Sequence, residues 1–242
     1  MESPSVDNTD YKAKCDALLR QVAESRLESL RSQMDPHFIF NAITTIQHYI
    51  LNNDKRVAIE YLEEFATLIR TFLDHSRAKT ISVQEEIDLL VSYINLEAMR
   101  FGHKFGFSIE VSQSLALNAI QIPSMLVQPF VENAIKHGLM HKIDYGQLWV
   151  RIFEEGKSLV VEVEDNGIGR KRSAQINEWK KPHKPHKSHA TAVSLERIAL
   201  MNQLSPQMVS FDIYDREASD PSQTGTKVVF SFPLLQVSED DF

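Results

Sequence analysis

The chain contains one cysteine, Cys15, among 242 residues. A single thiol excludes an intramolecular disulfide and any paired-cysteine metal site, and it is typical of a reducing compartment. The sequence also lacks an apolar run of roughly eighteen residues, the length that crosses a bilayer. The residues that follow Met1 include no hydrophobic core of a signal peptide. We therefore expect no membrane-spanning segment in this chain and a cytoplasmic location.

Basic residues are also fewer than acidic residues. The formal net charge is -7, whereas a general nucleic-acid binder carries a basic face, so we expect no direct nucleic-acid binding. The hydrophobic fraction of 43% and the charged fraction of 24% are ordinary for a soluble globular protein. The length allows one large domain or two small ones.

The first part of the chain, residues 11–81, carries two amphipathic helical patterns. Residues 1–10 before it are polar, and we expect them to be disordered. Apolar residues recur at helical spacing over about 11–51 and again over about 55–76. Two such helices form a hairpin that cannot bury both faces and has no third partner. We therefore expect two copies to pair as a homodimer with a four-helix bundle.

The second part, residues 82–242, changes to short strands and helices. Ser82 begins a capping box, which predicts a helix to about Arg100. A further helix is predicted over 122–138, and a mobile loop or lid over about 170–190, where no apolar period exists. Strands are predicted at FGFSIEVS, QLWVRIFEE, SLVVEVED, MVSFDIYD and GTKVVFSFP. The fold class is therefore α+β, a helical hairpin followed by an α/β sandwich with one mixed sheet.

A histidine follows a proline in the first helix, within Pro-His-Phe-Ile-Phe-Asn. Pro36 predicts a kink just before His37. A phosphoacceptor imidazole has to be accessible and neutral at one nitrogen, and Asn41, one turn further on, is placed to orient it. The alternative is an ordinary half-buried helix histidine, one of nine in the chain. The kink aimed at His37 favours the phosphoacceptor.

A second candidate group lies in VENAIKHG. Asn133 offers an amide oxygen, a hard ligand of the kind that Mg²⁺ takes beside triphosphate oxygens. Lys136 and His137, about one turn further on, are candidates for contacts to phosphate. The alternative is a buried asparagine whose amide is satisfied within the protein.

A third candidate group ends a predicted strand, in EDNGIG. Asp165 is able to accept a hydrogen bond from an adenine amino group, and Gly167 and Gly169 let the backbone approach a base closely. The alternative is a hairpin turn, which Asn-Gly favours. Thr226, which opens the last strand after Gly225, is a weaker candidate and is also compatible with an ordinary strand start. The basic stretch after Gly169 is equally compatible with closure over a triphosphate and with a solvated loop.

Together these segments resemble those of the LytS/YehU-type sensor histidine kinases, the "internal region" histidine kinase family, over about residues 25–233. QMDPHFIFNAITTIQ looks like the phosphoacceptor helix of that family, EEIDLLVSYINLEAMRF like its next signature helix, IPSMLVQPFVENAIKHG like its Asn box and EDNGIG like its first glycine box. HKSHATAVSLERIALMN looks like the second glycine box, but Ala190 and Ala192 stand where glycine is common.

The resemblance implies an ATP-binding domain of the Bergerat type, shared with gyrase, Hsp90 and MutL (the GHKL group). ATP and Mg²⁺ would be its ligands, with Asn133 holding the metal and Asp165 reading adenine. His37 would take the γ-phosphoryl group and pass it to a response regulator, of LytTR type, with any membrane sensor segment outside this chain. Because Phe38 follows the histidine where other histidine kinases have an acid, Asp35 and Glu132 are candidates for the general base.

Two other functions stay open. The altered second glycine box favours a nucleotide-binding pseudokinase that signals without phosphotransfer. A GHKL ATPase with a water nucleophile would use the same pocket, and the hairpin that carries His37 argues against it.

Overall fold

The computed structural model of the chain describes residues 36–180, 189–204, 209–220 and 222–234, and at a few helix ends, including His37 and residues 189–193, it describes the backbone alone. The helices are α1 (Pro36–Leu51), α2 (Lys55–Arg77), α3 (Val83–Arg100), α4 (Gln128–Asn133), α5 (Gly169–Lys180), α6 (His189–Leu204) and α7 (Arg216–Ser219). The strands are β1 (Thr80–Ser82), β2 (Phe105–Val111), β3 (Gln121–Pro123), β4 (Gly146–Glu155), β5 (Ser158–Asp165), β6 (Ser210–Asp215) and β7 (Thr226–Pro233). The predicted disorder of 1–10, the first helix before Pro36 and the kink there lie outside the described residues.

A mixed sheet of five strands forms the second part of the molecule, as predicted. Its strand order is β2-β4-β5-β7-β6, with β2 and β4 parallel and the other pairs antiparallel. Alternate residues of β4, Leu148, Val150 and Ile152, are buried, as expected for a sheet covered by helices on one face. Strands β1 and β3 pair separately as a short antiparallel ribbon.

The predicted capping box at the start of α3 is confirmed. Ser82 Oγ accepts the Glu85 N–H at 3.2 Å, and the Ser82 N–H donates to Glu85 Oε2 at 2.7 Å. Two otherwise unpaired helix donors are satisfied in this way. The helix is buried on most of its surface, because it lies between the hairpin and the part of the chain that contains the sheet.

The predicted helix over 122–138 begins later than expected. Its first residues form β3, and α4 starts only at Gln128 before continuing into a π-helical turn over Ala134–Gly138. Pro123 cannot donate a helical hydrogen bond, and Met125 has a positive φ of 55°, so no helix can pass through this segment.

The prediction of a loop over 170–189 is wrong for its first half, where α5 forms. Arg, Lys, Ala, Gln and Glu dominate this stretch, and they are good helix formers even without a strong apolar period. Ser173 is buried against the rest of the domain, and α5 packs on the π-helical turn. Residues 181–188 of the predicted lid lie outside the described part of the chain.

The expectation that the hairpin has no third partner within the chain is also wrong. The Phe38 ring lies 5.9 Å from that of Phe65 on α2 and 5.4 Å from that of Tyr93 on α3. The Tyr49 hydroxyl donates to the Met99 carbonyl of α3 at 3.0 Å. Helix α3 therefore covers one face of the hairpin.

Candidate functional site

Three segments that are distant in the sequence meet at the end of β5. The Ile168 N–H donates to the carbonyl of Gly138, the last residue of the π-helical turn, at 3.2 Å. A Cβ on Gly167 would overlap the Gly138 backbone. The strand register places Asp165 opposite Thr226, the first residue of β7. The structure thus brings together segments that the sequence offered as separate candidates.

Asp165 lies where these three segments meet, with only 3% of its surface exposed. Its Oδ1 accepts the Gly167 N–H at 2.7 Å, and a Cβ on Gly138 would come within 2.6 Å of the same oxygen. Burial raises the pKa of Asp165 to about 7, while the Gly167 N–H, the charge of Arg216 and the Thr226 N–H favour its ionised form. This carboxyl therefore changes its ionisation near neutral pH.

Gly225 is the glycine that this geometry requires most strongly. Its φ is +128°, and a Cβ there would overlap the Asp165 carbonyl oxygen and lie 3.0 Å from the Asn166 Cα. Its own carbonyl accepts the Arg216 N–H at 3.1 Å. The start of β7 can therefore pass beside Asp165 only without a side chain at this position.

The turn after Asp165 is held from both sides. Asn166 Oδ1 accepts the Gln147 N–H at 2.7 Å, and Lys142 Nζ donates to the Asn166 carbonyl at 2.7 Å. On α5, Arg170 donates to the two carboxylate oxygens of Asp215 at 2.7 and 2.8 Å. The alternative of a hairpin turn is wrong, because α5 follows the turn and β5 pairs with β4 and β7.

Asn133 is the last residue of α4 and is half-buried. Its neighbour Glu132 forms an ion pair with Lys136 in which both side chains are largely buried. The predicted roles of Glu132 as general base and of Lys136 and His137 as phosphate ligands stay predictions. The ion pair adds a structural role for Glu132 and Lys136 that the sequence did not indicate.

A second buried ion pair lies close to the first. Glu97 and Arg100 pair on α3, and the carboxylate of Glu97 is fully buried. Burial raises the pKa of Glu97 to about 7, while the charges of Arg100 and Lys136 lower it and that of Glu132 raises it. Two ion pairs, Glu132–Lys136 and Glu97–Arg100, therefore lie at the Asn133 end of the site.

Helix α1 carries His37 and Asn41. Phe38 and Ala42, one turn apart, are buried and fix the inner face of the helix. The Thr45 hydroxyl donates to the Asn41 carbonyl at 2.9 Å, and the Asn41 side chain is half-buried. The side chain of His37 lies outside the described residues, so its role and that of Asn41 stay predictions.

Sequence reasoning missed three residues of this region. Gly138 belongs to the quoted VENAIKHG motif, but only the approach of Gly167 shows why it has to be glycine. Glu86 and Arg197 are charged residues at apolar positions of α3 and α6, and both are buried. A charge within an otherwise buried helical face is the signal that could have found them.

The donor set fits Mg²⁺ only together with a phosphate ligand. Among the described residues no group of three or more His, Cys, Asp or Glu side chains could hold a metal ion. Mg²⁺ usually binds one or two protein groups and completes its shell with water and phosphate oxygens. The amide oxygen of Asn133 is compatible with such a site.

Two family models match the chain. The model described as "Histidine kinase" matches residues 25–105, and the one described as "Histidine kinase-, DNA gyrase B-, and HSP90-like ATPase" matches residues 119–236. The chain belongs to the histidine kinases with a GHKL-type ATPase domain. The predicted resemblance and fold class are thereby confirmed.

Individual relatives agree with this assignment. Sensor protein LytS of Bacillus subtilis (strain 168) is 28% identical over 221 residues, which cover 90% of this chain and 35% of LytS. Sensor histidine kinase BtsS of Escherichia coli (strain K12) is 32% identical over 145 residues, 60% of this chain and 25% of BtsS. The chain thus spans 25% to 35% of the length of these curated relatives.

Among solved structures, the histidine kinase AdeS of Acinetobacter baumannii aligns with 90% of this chain and 96% of its own at 11% identity, with a TM-score of 0.44. Within the described ranges, no helix is long and apolar enough to cross a membrane.

Proposed function

We propose that this chain is the kinase core of a two-component sensor, which transfers the γ-phosphoryl group of ATP to His37 and then to an aspartate of a response regulator. The observation that carries the proposal is the close approach of Gly138 and Gly167 to the buried carboxyl of Asp165 and of Gly225 to the backbone carbonyl of the same residue. A carboxylate that glycine backbone approaches closely suits recognition of a flat base. The helix that carries His37 belongs to the same chain.

Each residue has a distinct task in this mechanism. Ionised Asp165 accepts a hydrogen bond from the adenine amino group and fixes the nucleotide. A neutral nitrogen of His37 attacks the γ-phosphorus, so that an N–P bond forms while the P–O bond to ADP breaks. The remaining ring proton passes to a base, for which Asp35 and Glu132 are candidates. Little covalent chemistry is needed from the protein, so positioning supplies most of the rate.

Asn133 is the residue proposed to hold Mg²⁺. When bound, this ion neutralises charge on the phosphate oxygens and on the leaving ADP. The Glu132–Lys136 ion pair on the following turn holds the surrounding backbone.

The partners follow from the same proposal. A homodimer would pair two hairpins, and a response regulator would receive the phosphoryl group, as the sensor-kinase names of the relatives support. That the regulator is of LytTR type rests on the family resemblance alone.

Incubation with γ-labelled ATP and Mg²⁺ tests the function. We expect an acid-labile, base-stable label on His37, and we expect His37→Gln to remove the label while ATP still binds. His48, His75 and His137 are internal controls, and a label on one of them with His37 unmodified would overturn the assignment. Bound nucleotide without label would indicate a pseudokinase, and free phosphate without label would indicate an ATPase.

A further inference from the structure

The segment Ser124–Gln128 connects β3 to α4 and is buried along its whole length. It precedes α4 without regular structure, and Met125 within it has a φ of 55°, which is unfavourable for a residue with a side chain. Backbone polar groups in a buried segment need partners, or the segment will not hold its shape. Those partners come from three different elements.

Arg197 of α6 donates hydrogen bonds to carbonyl groups of this segment. Its Nη1 donates to the Met125 carbonyl at 2.8 Å, and its Nη2 donates to the Ser124 carbonyl at 2.6 Å. Only 3% of Arg197 is exposed. Charge-assisted hydrogen bonds are strong in such a surrounding, and the planar guanidinium fixes two carbonyls at once.

Glu86 of α3 accepts hydrogen bonds from N–H groups of the same segment. Its Oε1 accepts the Gln128 N–H at 3.3 Å, and the carboxyl is buried. Burial raises the pKa of Glu86 to about 7, while the backbone N–H groups of Gln128 and Val127 and the charge of Arg197 favour the ionised form. The Met125 N–H also favours the ionised form, so Glu86 acts on N–H groups and Arg197 on carbonyl groups of the same segment.

The third connection runs to the end of the helical hairpin. The Ser124 N–H donates to the Lys79 carbonyl at 3.3 Å, and its hydroxyl donates to the Ala78 carbonyl at 2.7 Å. Ala78 is the residue that follows α2. One short segment is thus bound to the hairpin, to α3 and to α6, and it continues directly into the helix that ends at Asn133.

We propose that Ser124–Gln128 is a junction that sets the position of Asn133 relative to the helical hairpin, with Arg197 and Glu86 as its positioning residues. The inference rests on the proposed function of Asn133 as the Mg²⁺ ligand. Helix α4 has only 6 residues, so a shift at its start displaces Asn133 directly. Displacement of a reacting group by about 1 Å can slow catalysis by roughly a hundredfold.

The test compares Arg197→Met and Arg197→Lys in the full chain by hydrogen exchange over residues 124–133 and by nucleotide titration. For Arg197→Met we expect exchange there to accelerate by about tenfold or more, the effect of losing a charge-assisted hydrogen bond. Binding of ATP with Mg²⁺ should weaken by about tenfold, while binding of ADP without Mg²⁺ stays within about twofold, because Asp165 lies outside the junction. Lysine can reach only one of the two carbonyls, so the exchange rate and the Mg²⁺-ATP affinity of Arg197→Lys should lie between those of the wild type and Arg197→Met.

Arg151→Met is the matched control. Arg151 on β4 contacts Glu110, Glu162 and Glu164, so its loss also removes several contacts of an arginine, but away from the junction. Its exchange over 124–133 should equal that of the wild type. Unchanged exchange in Arg197→Met would overturn the proposal, and so would an equal loss of ADP and Mg²⁺-ATP binding, which indicates general destabilisation.

Two milder variants keep the test decisive if Arg197→Met does not fold. Arg197→Lys and Ser124→Ala each remove only part of the junction, and faster exchange over 124–133 in both supports it, whereas wild-type exchange in both refutes it. If the wild type binds no nucleotide, the proposed function fails, and the exchange measurements still decide whether the junction exists.

Discussion

In its proposed role as the adenine-binding residue, Asp165 is subject to two opposing effects. Its burial favours the protonated carboxyl, whereas acceptance of a hydrogen bond from an adenine amino group requires the ionised form. The pKa of about 7 places the balance within the physiological range. Nucleotide binding should therefore respond to small changes in pH.

We expect the affinity for adenosine, which has no phosphate to titrate, to fall about tenfold between about pH 8 and about pH 6, as Asp165 takes up a proton. Calorimetric or fluorescence titration at both pH values measures this. Asp165→Asn should bind more weakly at both and lose the pH dependence. A wild type with equal affinity at both values, or an Asp165→Asn variant that keeps the dependence, would contradict this role.

Gly225 offers a second test at the same scale. Gly225→Ala should lower the free energy of unfolding by more than about 3 kcal/mol or abolish nucleotide binding, because its Cβ would overlap the Asp165 carbonyl. Gly156→Ala is the control, since Gly156 also has a positive φ of 63° but has no atom within 4 Å of its would-be Cβ. The free energy of unfolding of that variant should fall by only about 1 kcal/mol, the cost of a positive φ at a residue with a side chain. Equal losses in chemical denaturation would show that backbone strain alone makes Gly225 necessary.

The residues of the site were predictable to different degrees for a physical reason. Asp165 and Gly167 act within one turn, so a local motif shows them. Gly138 and Gly225 are required only because distant segments approach Asp165, and Arg197 binds backbone carbonyls that carry no sequence signature. Such long-range requirements become visible only in three dimensions.

Helix α3 is the element on which both parts of the chain depend. It packs on α2 from one side and on α4 and β2 from others, and it contributes the buried acids Glu86 and Glu97. Burial raises the pKa of both to about 7 from a usual value of 4.5. The folded protein therefore binds these protons more tightly than the unfolded chain does.

This difference predicts how stability depends on pH. Because the folded state holds more protons between about pH 4.5 and about pH 7, the free energy of unfolding should fall as the pH rises through this window. Glu97→Gln should reduce that fall by an amount on the order of 2 kcal/mol, since one titrating group is removed. Urea denaturation at several pH values measures both.

Two results of the same pH series would contradict this prediction. A wild-type free energy of unfolding that rises through this window would mean that Glu86 and Glu97 are ionised and fully compensated in the folded state. An unchanged slope in Glu97→Gln would remove Glu97 from the explanation.

Elements with a strong local pattern were predicted well. The alternation of β4 and β5 and the Ser82 capping box are properties of a few neighbouring residues. Helix α5 was missed because its apolar pattern is weak and its stability depends on contacts with the π-helical turn. The late start of α4 was missed because Glu86 and Arg197, which hold the preceding segment, lie far away in the sequence.

The two helices of the hairpin each leave an apolar seam uncovered in the single chain. On α2 the exposed residues Ile59, Leu62 and Leu73 follow the alternating three- and four-residue spacing of a coiled-coil seam. On α1 the exposed residues Phe40, Ile43 and Ile50 do the same. The sequence predicted two amphipathic helices, but it could not show that α3 covers the other side of the hairpin.

These seams favour a homodimer, and Leu62 is the best residue with which to test it. Phe65 is less suitable, because its ring packs on Phe38 within the chain. Leu62→Glu should convert dimers into monomers at micromolar concentration, since a carboxylate in a bundle core is costly without a partner. Its thermal unfolding should show that the fold of the single chain is retained, and light scattering measures the mass.

Leu51→Glu is the control for this substitution. Leu51 is even more exposed but lies at the end of α1, outside the seam, so its variant should remain dimeric. A monomeric wild type would contradict the predicted four-helix bundle. A dimeric Leu62→Glu variant would indicate that the dimer interface lies on another face. If Leu62→Glu is monomeric and still binds ATP, the nucleotide site is complete in one chain, and any loss of phosphate on His37 then reports on transfer between the two chains of a dimer.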